Sequence, residues 1–440
     1  MRRAIILALL YGGMQLLVPL GEPVPGGESL LAFGFLILAA YTTGELASAA
    51  RLPRIVGYLA AGLLFGPSVL ATVTTSAIQQ LAPVSTLAIA LIAFLAGAEL
   101  RWGEVKERAR TILSILGAEM SLGFVLIGGL LVALRELVPF LRGAPLPAVI
   151  AFSALFAVMA VVHSPAVTMA LLNETGARGP VARTTLGVVL VSDLVVVLLF
   201  SGVLALAQSL VPPSSADAPA VSLGAVVWEI GGAVLVGAAL GGGVSLYLRF
   251  VRQELFLFAI LVAFFGTEIA QLAHTETLLT LLTAGFVAEN VSHDEHGEAL
   301  RHAMERSAAP VFVVFFALAG AHISPGDVAK VWLLVLPIAA VRIGAIWTGC
   351  RLGTRWAGVA AAEGKYLWMG LVSQAGVAIG LVTVVAEVYP NRGGELRALF
   401  LSVIAINETL GPILFRWALV RSGETAEIAA GARARGAAAH

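Results

Sequence analysis

Leu186–Phe200 reads LGVVLVSDLVVVLLF, an apolar run broken by one serine and one acid, Asp193. The apolar character extends over about residues 181–208. That is long enough to cross a bilayer, which needs roughly 20 mainly apolar residues. A carboxylate in the middle of such a run is costly. It has to be protonated or balanced by a cation, and it marks a functional site by default.

The rest of the chain has the same character. Of its 440 residues 59% are hydrophobic and 12% charged, with a mean hydropathy of +0.94. Soluble domains carry about 25% charged residues, so the bilayer is the solvent here. The 47 glycines suit close helix packing in lipid. A formal net charge of zero argues against a nucleic-acid partner. The single Cys350 excludes an intramolecular disulfide and a cysteine-based metal cluster. The longest polar interruption runs from Glu289 to Ser307.

Fourteen apolar segments are candidate spans: 4–20, 28–48, 53–70, 78–99, 110–134, 147–172, 181–208, 222–248, 254–273, 276–290, 308–323, 331–350, 365–388 and 396–420. None alternates with a period of two, which argues against a barrel. The first follows Arg2 and Arg3 and is either a spanning helix or a signal peptide. With the loop after the second segment cytoplasmic, nineteen lysines and arginines fall on that side. Only Arg135, Arg142, Lys330, Arg392 and Arg397 fall on the other. This bias places the C-terminus in the cytoplasm of an inner-membrane protein.

The segments also repeat. LAGAEL (Leu95–Leu100) returns as LAGAHI (Leu318–Ile323), an offset of 223 residues that also relates Ala61-Gly62 to Ala284-Gly285. Ser164-Pro165-Ala166 resembles Ser373-Gln374-Ala375, and Ser192-Asp193 resembles Asn407-Glu408. Paired segments lie seven spans apart, so the repeats have opposite orientation, as in many secondary transporters. The expected organisation is an N-terminal helix or signal-like segment (1–27) and a transmembrane domain (28–420). That domain holds repeat one (28–208), a linker helix (222–248) and repeat two (254–420), ahead of a short cytoplasmic tail (421–440).

Asp193 is the first candidate for ion and proton binding, with Ser192 beside it; a proton and a metal cation would compete for the one carboxylate. His163-Ser164-Pro165 breaks the sixth segment. Proline removes a backbone donor and frees carbonyls, and irregular backbone at membrane depth lines cavities. Those carbonyls and the Ser164 hydroxyl are hard oxygen ligands for Na+ or K+; the alternative is a plain proline kink. His163 titrates near neutral pH in water or simply packs. Ser373-Gln374-Ala375-Gly376 is the matching break. Arg342, deep in the twelfth segment, is expected to neutralise half-helix ends or pair with a carboxylate. Glu99, Glu119, Glu229, Glu268, Glu289 and Glu408 are also flanked by apolar residues, but they are weaker candidates.

Several stretches resemble the monovalent cation:proton antiporter superfamily of the sodium/hydrogen exchanger type. They are LPRIVGYLAAGLLFGP (Leu52–Pro67), FLAGAEL (Phe94–Leu100), SPAV (Ser164–Val167), VSDL (Val191–Leu194), FFALAGAHI (Phe315–Ile323) and QAGVAIGL (Gln374–Leu381). The resemblance implies an all-α polytopic fold with thirteen core transmembrane helices, a homodimer and two discontinuous helices that cross. It also implies alternating access of the elevator kind, and no cofactor beyond the transported Na+ or K+ and H+. By position Asp193 matches the ion-binding acid, Ser164-Pro165 and Ser373-Gln374 the helix breaks, and Arg342 the basic residue that steadies the crossing. Electrogenic members carry two adjacent acids where this chain has Ser192-Asp193, so electroneutral exchange is expected. Two competing readings are an organic anion/sodium symporter of the same architecture and a non-transporting ion sensor. An enzyme is not indicated, since no nucleophile–base pair or phosphate loop is present.

Overall fold

A computed structural model describes residues 2–17, 27–212, 223–251, 254–292, 294–374 and 377–426. Ala375, Gly376, Arg252 and most of the 421–440 tail lie outside them. The described residues form α-helices and one short 3-10 turn, with no strand among them. In chain order the first helices are α1 (Arg2–Leu17), α2 (Gly27–Ala49), α3 (Arg54–Phe65), α4 (Thr75–Gln80), α5 (Ala82–Ala98) and α6 (Trp102–Ala133). Next come α7 (Leu146–Ala160), α8 (Pro165–Thr175), α9 (Pro180–Leu210), α10 (Leu223–Phe250), α11 (Leu255–Leu272) and α12 (Thr277–Val291). The last are α13 (Asp294–Ala321), α14 (Pro325–Ala357), α15 (Ala361–Gly370), α16 (Val377–Val388) and α17 (Pro390–Arg421). Among the described residues eight helical stretches are long and apolar enough to cross a membrane, and six shorter apolar helices accompany them. This is a multi-pass membrane protein.

Several helices run beyond the apolar segments. α6 begins at Trp102 and takes in Glu104, Lys106, Glu107 and Arg108. α13 begins at Asp294, so most of the polar interruption from Glu289 to Ser307 is helical backbone. Glu, Lys, Arg and Ala are good helix formers. A helix therefore continues past the point where its hydropathy ends.

The chain divides into two compact units, each drawing on both halves of the sequence. Unit one is Met1–Glu99, Gly237–Gln271 and Thr280–Gly326; unit two is Leu100–Val236, Leu272–Leu279 and Asp327–His440. Within unit one, glycines let helix backbones touch. A Cβ at Gly62 of α3 would collide with the Ala317 carbonyl of α13, and one at Gly320 with the Leu59 carbonyl. A Cβ at Gly97 of α5 would strike the Leu282 carbonyl of α12, and one at Gly285 the Phe94 carbonyl. Such small-residue contacts let helices approach closely where lipid offers no hydrophobic drive.

Unit two has a conventional apolar core. Phe140, Phe152, Phe156 and Phe400 are all buried in it, and Phe156 meets Phe400 edge to face with centroids 5.1 Å apart. Two helical spans in this unit are interrupted. One stops at Ala160 and restarts at Pro165; the other stops at Gly370 and restarts at Val377.

Candidate functional site

The first interruption follows from its sequence. Ser164 is extended (φ −107°, ψ 106°), and its hydroxyl oxygen accepts the Val167 N–H at 3.2 Å as the N-cap of α8. Pro165 occupies the first helical position, where its missing N–H costs nothing. The Ser164 carbonyl accepts the Thr168 N–H and its hydroxyl. α8 ends at Gly176, whose φ of 60° is the left-handed conformation that closes a helix.

Each helix that stops inside the unit leaves carbonyls without intrahelical partners. Arg342 of α14 meets that need. It is 1% exposed. Its guanidinium donates to the Ala160 carbonyl at 2.6 Å and the Val162 carbonyl at 2.8 Å, both at the first interruption. A third bond, 2.6 Å, goes to the Val372 carbonyl at the second. One planar cation thus binds the C-terminal ends of two half-helices, where helix dipoles concentrate negative charge. The break at Pro165 was expected to offer open carbonyls to a cation, and Arg342 to neutralise half-helix ends or pair with a carboxylate; the Ala160, Val162 and Val372 oxygens are held by Arg342.

Gln374 makes a second bridge. Its amide donates to the Ala160 carbonyl at 3.1 Å, and its own oxygen accepts from Asn407 of α17 at 2.8 Å. One turn further along α17, a Cβ at Gly411 would collide with Ser373, so α17 lies directly on the second interruption. His163 makes a third bridge. It is fully buried, with Nδ1 2.7 Å from the Leu371 carbonyl and Nε2 2.8 Å from Oε1 of Glu119. His163, Arg342 and Gln374 therefore each link the first interruption to the second, while Ser164 and Pro165 cap α8 and Ser373 lies against Gly411 of α17.

Asp193 and Ser192 sit in the middle of α9, which packs against α7, α8 and α15. At Thr185, two turns before Asp193, α9 lies on Gly370, the last residue of α15. The Ser192 hydroxyl donates to the Val189 carbonyl of its own helix at 2.6 Å. The Asp193 Oδ1 is buried with no hydrogen-bond partner, and the acidic group acting on it is Glu276. Glu276 precedes α12, where its carboxylate accepts the Leu278 and Leu279 N–H groups. Buried oxygens of Asn407 (Oδ1) and Glu408 (Oε1) are likewise without partners. An orphaned carboxylate oxygen in an apolar helix is suited to a proton or a small hard cation.

Glu119, Asn407 and Gly411 belong to this site more intimately than the sequence suggested. Glu119 shows there only as an acid between apolar neighbours, and Asn407 only as the repeat counterpart of Ser192. Gly411 gives no signal that separates it from the chain's other glycines.

The chain is similar to proteins already known. The family model described as sodium/hydrogen exchanger, transmembrane, matches residues 34–421. The chain is 22% identical over 365 residues to the Na+/H+-K+ antiporter GerN of Bacillus cereus, covering 80% of this chain and 86% of that protein. It is 22% identical over 348 residues to the probable Na+/H+ antiporter GerT of the same organism, covering 78% and 87%. Among solved structures, the sodium proton antiporter MjNhaP1 from Methanocaldococcus jannaschii superposes with a TM-score of 0.67 at 16% identity, covering 90% of this chain and 98% of that one.

Proposed function

Because the chain belongs to the sodium/hydrogen exchanger family, whose members are transporters and not enzymes, we propose that it exchanges Na+ or K+ for protons, one for one, by alternating access. The observation that carries this reading is the unpartnered Oδ1 of Asp193, buried in the apolar helix α9. Such a group holds a proton or a cation, never both at once. Competition for it couples the two fluxes.

Charge balance supports the one-for-one ratio. The Arg342 cation is occupied by three backbone carbonyls and keeps its charge throughout. The exchanging group in this reading is Asp193. A protonated Asp193 and a cation-bound Asp193 have equal net charge, so the two loaded states cross the membrane on equal electrical terms. The Ser164 and Ser192 hydroxyls are engaged with backbone and serve to shape α8 and α9 around the site.

The inverted repeat is part of the proposal, and the glycine contacts support it. Gly62 meets Ala317 while Gly285 meets Phe94; Gly97 meets Leu282 while Gly320 meets Leu59. Adding 223 to one member of each contact gives a member of its counterpart, with the roles exchanged. Reciprocal contacts of this kind follow from a two-fold relation between halves of opposite orientation. The excess of cationic residues on one side favours an inner membrane location with the C-terminus in the cytoplasm. The family resemblance adds a homodimer.

Proteoliposomes with an imposed pH gradient test the reading. Wild-type protein is expected to move protons when Na+ or K+ is added, and Asp193→Asn to move none. Exchange whose rate follows an imposed membrane potential would refute the one-for-one ratio.

A further inference from the structure

Glu119 is a second buried acid that this scheme leaves unused. It lies in the middle of α6 and is 1% exposed. Its Oε1 is 2.8 Å from His163 Nε2, and the other ring nitrogen of His163 is 2.7 Å from the Leu371 carbonyl oxygen. A backbone carbonyl only accepts hydrogen bonds. His163 Nδ1 therefore carries the hydrogen that points at Leu371. The contact between Nε2 and Oε1 must then contain a proton of its own, whichever partner formally owns it. Without that proton two lone pairs would face each other in a dry interior, which is strongly unfavourable. The carboxyl of Glu119 is thus committed to His163 and is not an open ligand for a cation.

The chain of contacts links three elements: α6 through Glu119, the first interruption through His163, and the second through the Leu371 carbonyl. α6 is itself held in place. A Cβ at Gly349 of α14 would collide with the Glu119 backbone, so α6 and α14 touch directly at that level. Two turns earlier α14 presents Arg342 to the same two interruptions. Arg342 and Cys350, both fully buried, lie in the field of Glu119.

We infer that Glu119 is a positioning residue, which orients His163 so that the imidazole ties the two helix interruptions together beside α9. The inference rests on Asp193 being the exchange site. Its loss loosens the geometry around that site without removing the exchanging group. The expected signature is weaker cation binding with the pH profile kept.

Cation-driven proton flux in proteoliposomes, measured against cation concentration at several pH values, tests this. Glu119→Gln keeps a donor facing Nε2 and is expected to retain the wild-type half-saturating concentration and pH profile. Glu119→Ala removes the partner and is expected to raise the half-saturating concentration about tenfold, with a smaller change in maximal rate. Should Glu119→Ala not fold, His163→Gln replaces it. One amide at that position cannot span both partners, and the same rise is expected. A pH profile shifted by Glu119→Gln would overturn the inference, because Glu119 would then be exchanging protons itself. Wild-type half-saturation in Glu119→Ala, or in the His163→Gln that replaces it, would overturn it equally. Exchange that persists in Asp193→Asn would instead refute the Asp193 reading, whatever the Glu119 variants do.

Discussion

The two units of the molecule bring helices together in an apolar setting by different means. Unit one relies on absence. Gly62, Gly97, Gly285 and Gly320 have no side chain, and neighbouring backbones fill the space. Unit two has such contacts too, at Gly349 and Gly411, and adds buried polar groups. Arg342, His163, Gln374 and Asn407 reach the carbonyls and amides left open where helices stop. The first device gives tight packing and no chemistry. The second needs every partner in place, because an unsatisfied polar group in the interior costs about 1–3 kcal/mol. It also brings ionisable groups to the depth at which exchange has to occur. Damage in unit one should therefore register as stability alone, and damage in unit two as transport, with or without a loss of stability.

Substitutions can break that division. The largest effect is expected from Arg342→Leu, which strips three carbonyls of their donor. At about 1–3 kcal/mol each, the loss should abolish exchange in proteoliposomes and sharply lower the thermal unfolding midpoint. Gly285→Val comes next. A side chain there meets backbone that cannot move aside, and overpacking of this kind costs about 1–3 kcal/mol. Unfolding in detergent should shift downwards, while protein that remains folded keeps its half-saturating cation concentration. Gly62→Val should match it, if the two positions are repeat equivalents. The smallest effect belongs to Asn407→Ala, which removes one donor to Gln374. A single hydrogen bond is worth about 1 kcal/mol, so half-saturation should rise only a few-fold with the unfolding midpoint nearly constant. A glycine variant that altered cation affinity while leaving stability intact would dissolve the distinction between the units.

Much of this was legible in the sequence, for physical reasons. The bilayer demands long apolar runs, so the α2, α9 and α14 regions stand out by composition alone. Helix ends were less legible: α6 and α13 continue through charged residues that a hydropathy reading treats as boundaries. Pro165 announces the first interruption because proline cannot donate, and Arg342 stands out because cations are rare at that depth. Their partners were not visible. The carbonyls of Ala160, Val162 and Val372 look like any others in a sequence, and Glu119 lies 44 residues from His163. The hydroxyls of Ser164 and Ser192 read as ion ligands, yet each is engaged with local backbone. Serine competes readily for nearby backbone groups, and a sequence does not show which bond wins.

Proton release from purified protein on adding Na+ or K+ in weakly buffered solution tests the central claim most directly. At a pH where Asp193 is protonated, the account predicts one proton released per cation bound, cation binding weakened as pH falls because protons compete for the same carboxylate, and no release from Asp193→Asn. Cation binding to wild-type protein with no proton release, or release that survives in Asp193→Asn, would contradict it.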